Sequence, residues 1–334
     1  MVTVESYSVA LALCVLTMLC WGSHANTLKM VPRSYGFPLY YWDQAIGYLL
    51  LPLIVGSTLG SLGSTGRSLI PDLMQGTTYS YAMAICGGIV FNLANILFVS
   101  AVDIAGMAVA FPIGIGIALV EGVFINYVAE PRGNSVLILA GTVLITLAIV
   151  TDALAYRRLK ISEAGTELRK GILLACFGGI LMGLFYYLVQ RSVSPNFRDL
   201  QPGRFGPYAA VLVFSAGSFL SNVVFNGYLM AHPFRGAPVT YSDYFASGNA
   251  KLHLIGILGG VISASGTMSN FAASKTASPA IAYGLGQGGT MVAVIWGVFL
   301  WKDFKGAPKG TNKLIAAMFC LFITGLILLM VAVP

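Results

Sequence analysis

Residues 87–129 read GGIVFNLANILFVSAVDIAGMAVAFPIGIGIALVEGVFINYVA, and residues 259–301 read GGVISASGTMSNFAASKTASPAIAYGLGQGGTMVAVIWGVFLW. At a constant offset of 172, Gly87, Gly88, Ala101, Ala105, Ala108, Ala110, Gly114, Gly116 and Val120 meet identical residues. Their partners are Gly259, Gly260, Ala273, Ala277, Ala280, Ala282, Gly286, Gly288 and Val292. Glycine and alanine are what unrelated apolar helices share by chance, so the weight falls on the layout. Each block is a pair of apolar runs joined by a very short turn, and each is followed by one last apolar run. The chain reads as two related halves.

Composition sets the class. With 57% hydrophobic and 9% charged residues and a mean hydropathy of +0.81, the chain is far from a soluble globule, whose charged share is about 25%. Windows of about 20 apolar residues, the length a helix needs to cross the hydrocarbon core, fall near 7–29, 38–60, 78–101, 105–129, 134–155, 170–190, 208–230, 252–273, 279–301 and 313–333. Long continuous runs specify helices, because barrel strands show alternating segments of about ten residues. The expected fold is an all-α integral membrane protein of ten transmembrane helices. It divides into a first five-helix repeat (1–156), a basic central loop (157–169) and a second repeat (170–334). Five spans per half is odd, so the second half enters from the opposite side and the repeat is inverted, a recurring build of secondary transporters. The first run ends at Ser23, His24 and Ala25, as a cleaved secretory signal would, but only Glu5 and no basic residue precedes it; it reads as a helix.

Thirteen of the 19 Lys and Arg residues lie in loops after odd-numbered spans, with Arg157, Arg158, Lys160, Arg169 and Lys170 in the central loop. Such loops stay cytoplasmic, so both termini are expected outside a cell (inner) membrane. The net charge of +7 points to anionic lipid rather than to nucleic acid.

Candidate site residues are polar groups inside the spans. Span 1 carries Trp21, Ser23, His24, Asn26, Thr27 and Lys29. His24 reads as a proton carrier or as a neutral imidazole bonded to a neighbouring helix. Asp43 opens span 2 on the side of Lys29 and Arg33, as a cap or ion pair. Asn92 and Asn95 share one face of span 3 and must turn from lipid. In span 4, Pro112 removes a helical hydrogen bond beside Gly114 and Gly116; the matching part of span 9 holds Gly286 and Gly288. Paired weak points of this kind are candidate hinges. Glu121 lies deep in span 4, where a charged carboxylate costs at least ~2.5 kcal/mol; it reads as a proton-coupling acid or as a neutral acid bonding another helix. Tyr187 in span 6, Asn222 in a stripe with Ser215, Ser218 and Asn226, Asn270 with Ser263 and Thr267, and Tyr283 with Gln287 and Thr290 follow helical steps of three or four. Together they describe a polar, largely uncharged chamber for a small neutral solute. Cys14, Cys20, Cys86, Cys176 and Cys320 sit within apolar runs without metal-ligand spacing. No phosphate loop or nucleophile elbow occurs, so neither cofactor nor metal is expected, and no enzyme activity.

The run Cys20, Trp21, Gly22, Ser23 with Asn26, Thr27 and Lys29, then Tyr41, Trp42 and Asp43, then Gly87, Gly88, Asn92 and Asn95, then Phe111, Pro112, Gly114 and Gly116 with Phe124, Asn126 and Tyr127, resembles the drug/metabolite transporter superfamily. It is similar to the ureide-permease and bacterial sugar-permease branches. The resemblance implies uptake of small polar metabolites, ureides and nucleobases or sugars, often driven by protons. Plant ureide permeases have a long central loop, and the stretch from Tyr156 to Lys170 is short by comparison. The expectation is a secondary transporter working by alternating access as monomer or homodimer. It would bind solute at Trp21, Asn26, Asn92, Asn95, Tyr187, Asn222, Asn270, Tyr283 and Gln287, with Glu121 or His24 as proton carrier. The alternative is an exporter of drugs or metabolites; a membrane enzyme or scaffold is a third reading.

Overall fold

The computed structural model describes residues 1–32, 34–159, 167–234 and 236–333. Arg33 and Lys160, named above from the sequence, lie outside the described residues. The helices in chain order are α1 (Tyr7–Ser23), α2 (Asn26–Lys29), α3 (Gly36–Ser57), α4 (Leu69–Met74), α5 (Thr78–Ala105), α6 (Met107–Ala129) and α7 (Ser135–Arg157). Then come α8 (Glu167–Ser192), α9 (Pro207–Ala231), α10 (Tyr241–Ser247), α11 (Ala250–Ala277), α12 (Pro279–Gly286), α13 (Gly289–Ile295), a π turn (Trp296–Leu300) and α14 (Thr311–Val331). Lipid offers the backbone no hydrogen-bonding partner, so apolar runs close their bonds within helices. Free N–H groups at helix starts are met by side chains: Thr77 accepts from Ser80 N at 3.3 Å, and Asn249 from Leu252 N at 3.1 Å.

Among the described residues, nine helical runs are long and apolar enough to cross a membrane, so this is a multi-pass membrane protein. α3 is 22 residues long but falls outside that set. The physical reason is composition: its first half carries the polar and aromatic run Tyr40, Tyr41, Trp42, Asp43 and Gln44, most of which is buried in the bundle.

The offset of 172 reappears in the helix bounds. Thr78–Ala105 becomes Ala250–Ala277, both 28 residues, and Met107 becomes Pro279. Packing crosses between halves: α5 lies on α8 and α9, whereas α11 lies on α1 and α3. The repeated glycine pairs make both approaches close. A Cβ at Gly88 would collide with the carbonyl of Phe214 on α9, and one at Gly260 with the carbonyl of Gln44 on α3. α6 continues unbroken past Pro112, while its counterpart is interrupted at Gln287 and Gly288.

Candidate functional site

Two cavities among the described residues bear on function. The inner one, about 20 Å³, is lined by His24, Tyr41, Gln44, Ala45, Tyr48, Phe91, Asn95, Ser218 and Ser263. That is room for about one water. Its walls come from the end of α1, from α3 and α5 of the first half, and from α9 and α11 of the second. Phe91 stacks on Tyr48 with centroids 5.4 Å apart and is backed by the rings of Phe185 and Phe214. Hydroxyls, amides, the His24 imidazole and the Ala45 methyl form the rest, and no Asp, Glu, Lys or Arg is among them.

The surrounding bonds fix these side chains. The Tyr48 and Thr267 hydroxyls are 2.7 Å apart, and Trp21 Nε1 donates to the same Thr267 oxygen at 3.3 Å. Tyr41 donates to Asn92 Oδ1 at 2.8 Å, and Asn92 Nδ2 donates to Ser221 Oγ at 3.0 Å. His24 Nδ1 is 2.8 Å from the carbonyl of Trp21. Asn222, on the same face of α9 as Ser218, is fully buried with both amide atoms unpaired among the described residues. Unpaired polar atoms at that depth cost free energy.

Of the residues singled out in the sequence, His24, Asn95, Ser218 and Ser263 line the inner cavity; Trp21 and Asn92 bond to side chains around it, and Asn222 lies one turn along α9 from Ser218. Tyr187 lies apart, in the outer cavity. Asn26 accepts from Trp301 Nε1 at 2.6 Å, toward the basic face. Asn270 donates to the Ala282 carbonyl at 2.8 Å, and the Tyr283 phenol reaches the carbonyls of Ala118 (3.1 Å) and Met182 (3.0 Å), pinning α12 to α6 and α8. Gln287 occupies the break between α12 and α13, between Gly286 and Gly288. The Glu121 carboxylate rests against Gly183 of α8, where a Cβ would come within 3.1 Å of Oε2, and it makes no ion pair among the described residues. Gly114 and Gly179 pack backbone to backbone at the α6–α8 contact.

The outer cavity, about 190 Å³, opens on the face that holds both chain termini. Asn126 and Glu130 of α6, Tyr187, Gln190 and Arg191 of α8, and Arg204, Lys275 and Pro279 line it. Lys275 Nζ pairs with Glu130 at 2.6 Å, and Arg132 donates to the Lys275 carbonyl at 2.7 Å.

Sequence reading missed the network around Asp43. This carboxylate, 1% exposed, does not pair with Lys29, which instead meets Asp303 at 3.4 Å. It accepts from His253 Nδ1 at 3.0 Å, from Tyr35 at 3.2 Å and from Tyr244. Burial first, then the adjacent carboxylate, pushes the phenols of Tyr35 and Tyr244 above the ordinary range. Tyr41, Gln44 and Tyr48 also went unmarked as cavity residues. A three-to-four spacing along α3 was their only signal, and the aromatic content there reads equally well as an interfacial belt. Among the described residues, no group of His, Cys, Asp and Glu could hold a metal ion.

Comparison with known proteins agrees with this architecture. The family model described as Ureide permease matches residues 152–332. Ureide permease 1 of Arabidopsis thaliana is 22% identical, with 99% of this chain and 98% of the relative covered. Ureide permease 2 of the same organism is 23% identical at the same coverage. A solved crystal structure superposes with a TM-score of 0.60 at 14% identity, covering 97% of this chain and 96% of its own; that likeness concerns the fold alone. With the family model covering more than half of a multi-pass helical bundle, and relatives aligned from end to end, the chain belongs to the ureide permease family.

Proposed function

We propose that the protein is a secondary-active permease that imports a small, neutral, polar solute by alternating access. Ureides and nucleobases are the first candidates and sugars the second. The observation that carries this reading is the inner cavity: a hydrogen-bonding chamber free of Asp, Glu, Lys and Arg, with Phe91 in its wall and, one turn along α9 from Ser218, the Asn222 amide that has no partner among the described residues. A ureide presents N–H and C=O groups in a flat frame, which suits amide and hydroxyl partners and a stacking ring. At about 20 Å³ the chamber is closed down, so solute entry requires the halves to part.

Ten spans in an inverted five-plus-five repeat result if α3 also crosses the membrane. The common offset of α5 with α11, and the exchanged packing, support this arrangement. Lysine and arginine counts put both termini outside a cell membrane. In this reading Glu121 and His24 are the candidate proton carriers, His24 supported by its place in the inner-cavity wall. Pro112, Gly114, Gly116, Gly286 and Gly288 are the points at which the fourth and ninth spans would bend.

The test is uptake of labelled allantoin, uracil, glucose, ribose and rhamnose into proteoliposomes, with and without an inward proton gradient. Gradient-stimulated entry of a ureide or nucleobase is expected. Entry of none, by folded protein, overturns import. Proton-driven uptake that survives in both Glu121→Gln and His24→Ala removes those two residues as carriers.

A further inference from the structure

The two faces of the bundle are sealed differently at positions that the offset of 172 makes equivalent. On the terminus face, the end of α6 (Asn126, Glu130) and the end of α8 (Tyr187, Arg191) stand on walls of the outer cavity of about 190 Å³. The offset carries Asn126 to Val298 and Glu130 to Lys302, at the end of the ninth run. There the walls touch. Trp296 Nε1 donates to Ser23 Oγ at 2.8 Å and Trp301 Nε1 to Asn26 Oδ1 at 2.6 Å. Lys29 reaches Asp303 at 3.4 Å and stands 5.2 Å over the Trp301 ring.

Backbone conformation differs at the same place. Phe124 to Val128 belong to an unbroken α-helix, whereas the equivalent Trp296–Leu300 forms a π turn, closed by Trp301 N to Trp296 O at 3.0 Å. One extra residue in a turn rotates the downstream side chains by about 100° relative to a regular α-helix. That rotation aims Trp301 at Asn26. Restoring α geometry would swing the indole away and break the clasp. In an inverted repeat, a difference between equivalent segments is what exchanges when the protein faces the other way.

We propose that the π turn Trp296–Leu300, clasped to Ser23, Asn26 and Lys29, is the gate of the basic face, and that this structure is a state with that gate shut, the outer cavity marking the opposite side. The inference rests on the transport reading and its inverted repeat. Position supports it: Ser23 and Asn26 flank His24, which lines the inner cavity, so the clasp lies within a turn of the chamber. Strength supports it too. Two neutral indole bonds and a partly exposed ion pair, with side chains 44% and 27% accessible, make a closure that thermal motion can undo.

The experiment labels Ser263→Cys, in the wall of the inner cavity, in a chain whose five native cysteines are replaced by serine. A membrane-impermeant maleimide is added at the basic face of oriented vesicles. Trp301→Phe, which removes the indole donor, and Asn26→Ala should each raise the labelling rate at least fivefold. Lys29→Asp and Asp303→Lys should do the same singly and return it toward the parent value when combined. Rates within twofold of the parent in all of these variants overturn the gate. If Trp301→Phe does not fold, the charge reversal and its rescue decide the matter. Labelling uses no solute, so faster labelling with no ureide uptake by the parent protein would sink the substrate reading and leave the gate standing.

Discussion

Ser278 holds in the second half the backbone position that Gly106 holds in the first: φ 75° and ψ 147° against φ 79° and ψ 162°. Both form the one-residue turn between paired helices. An L-residue there carries a strain of about 1–3 kcal/mol, offset in part because Ser278 Oγ accepts from Ile281 N at 3.3 Å. Replacing an N-cap serine by glycine costs only a few tenths of a kcal/mol. Ser278→Gly should therefore stabilise the protein by about 1 kcal/mol, and Gly106→Ser should destabilise it by a similar amount, read as opposite shifts of the melting temperature in detergent.

The glycine pairs lead to a matched result. Because a Cβ on Gly88 meets Phe214 O and one on Gly260 meets Gln44 O, Gly88→Ala and Gly260→Ala should each cost about 1–3 kcal/mol by overpacking. Equal penalties in the two halves would fit a repeat that uses one device twice. A neutral outcome in either, in the same melting assay, would mean the helices are not in contact there.

At the Asp43 network, Tyr244→Phe removes a hydrogen bond to a charged group and should cost about 1.5–3 kcal/mol. Asp43→Asn should cost a comparable amount, and the Tyr244→Phe penalty should shrink when Asp43→Asn is already present. Additive penalties in the double-mutant cycle would show that the two side chains act separately.

The cap of α10 gives a pH dependence. Asp243 accepts from Thr240 Oγ1 at 2.8 Å and Thr240 N at 2.7 Å, and these bonds, the side-chain bond first, hold its carboxyl below the ordinary range. A carboxyl depressed in the folded state contributes stability above its unfolded pKa of about 3.9, and that contribution fades as pH falls through the lower folded value. Protection of the α10 amides, taken relative to the intrinsic exchange rate at each pH, should fall on acidification below about pH 4, and Asp243→Asn should show low protection already at neutral pH with a flatter profile.

For transport, Asn95→Ala and Ser263→Ala each delete a hydrogen-bonding group of the inner cavity. Each should raise KM about fivefold, the equivalent of about 1 kcal/mol, with Vmax little changed if the group binds the solute before and during translocation alike. An unchanged KM in both, for a solute the parent protein carries, would place the binding site elsewhere.

Much of the fold was legible in the chain itself. Long apolar runs name their own structure, since a backbone in lipid must bond to itself, and the recurrence of Gly87–Gly88 at Gly259–Gly260 marked two helices of equal length. The helix bounds then fell at that same offset. Sequence also marked His24, Asn95, Ser218 and Ser263, because polar side chains inside apolar runs must turn toward protein. Which of them would meet was not written there. Asp43 and His253 are 210 residues apart, Asn26 and Trp301 are 275 apart, and nothing local couples such pairs. Asn95 and Asn270 show the same polarity and spacing, yet one lines the chamber and the other ties α11 to α12. Period and composition assign each side chain a face on its own helix; only the crossing of the halves, set by glycine-close packing of α5 and α11 on their opposite partners, decides which faces enclose a cavity and which are fastened shut.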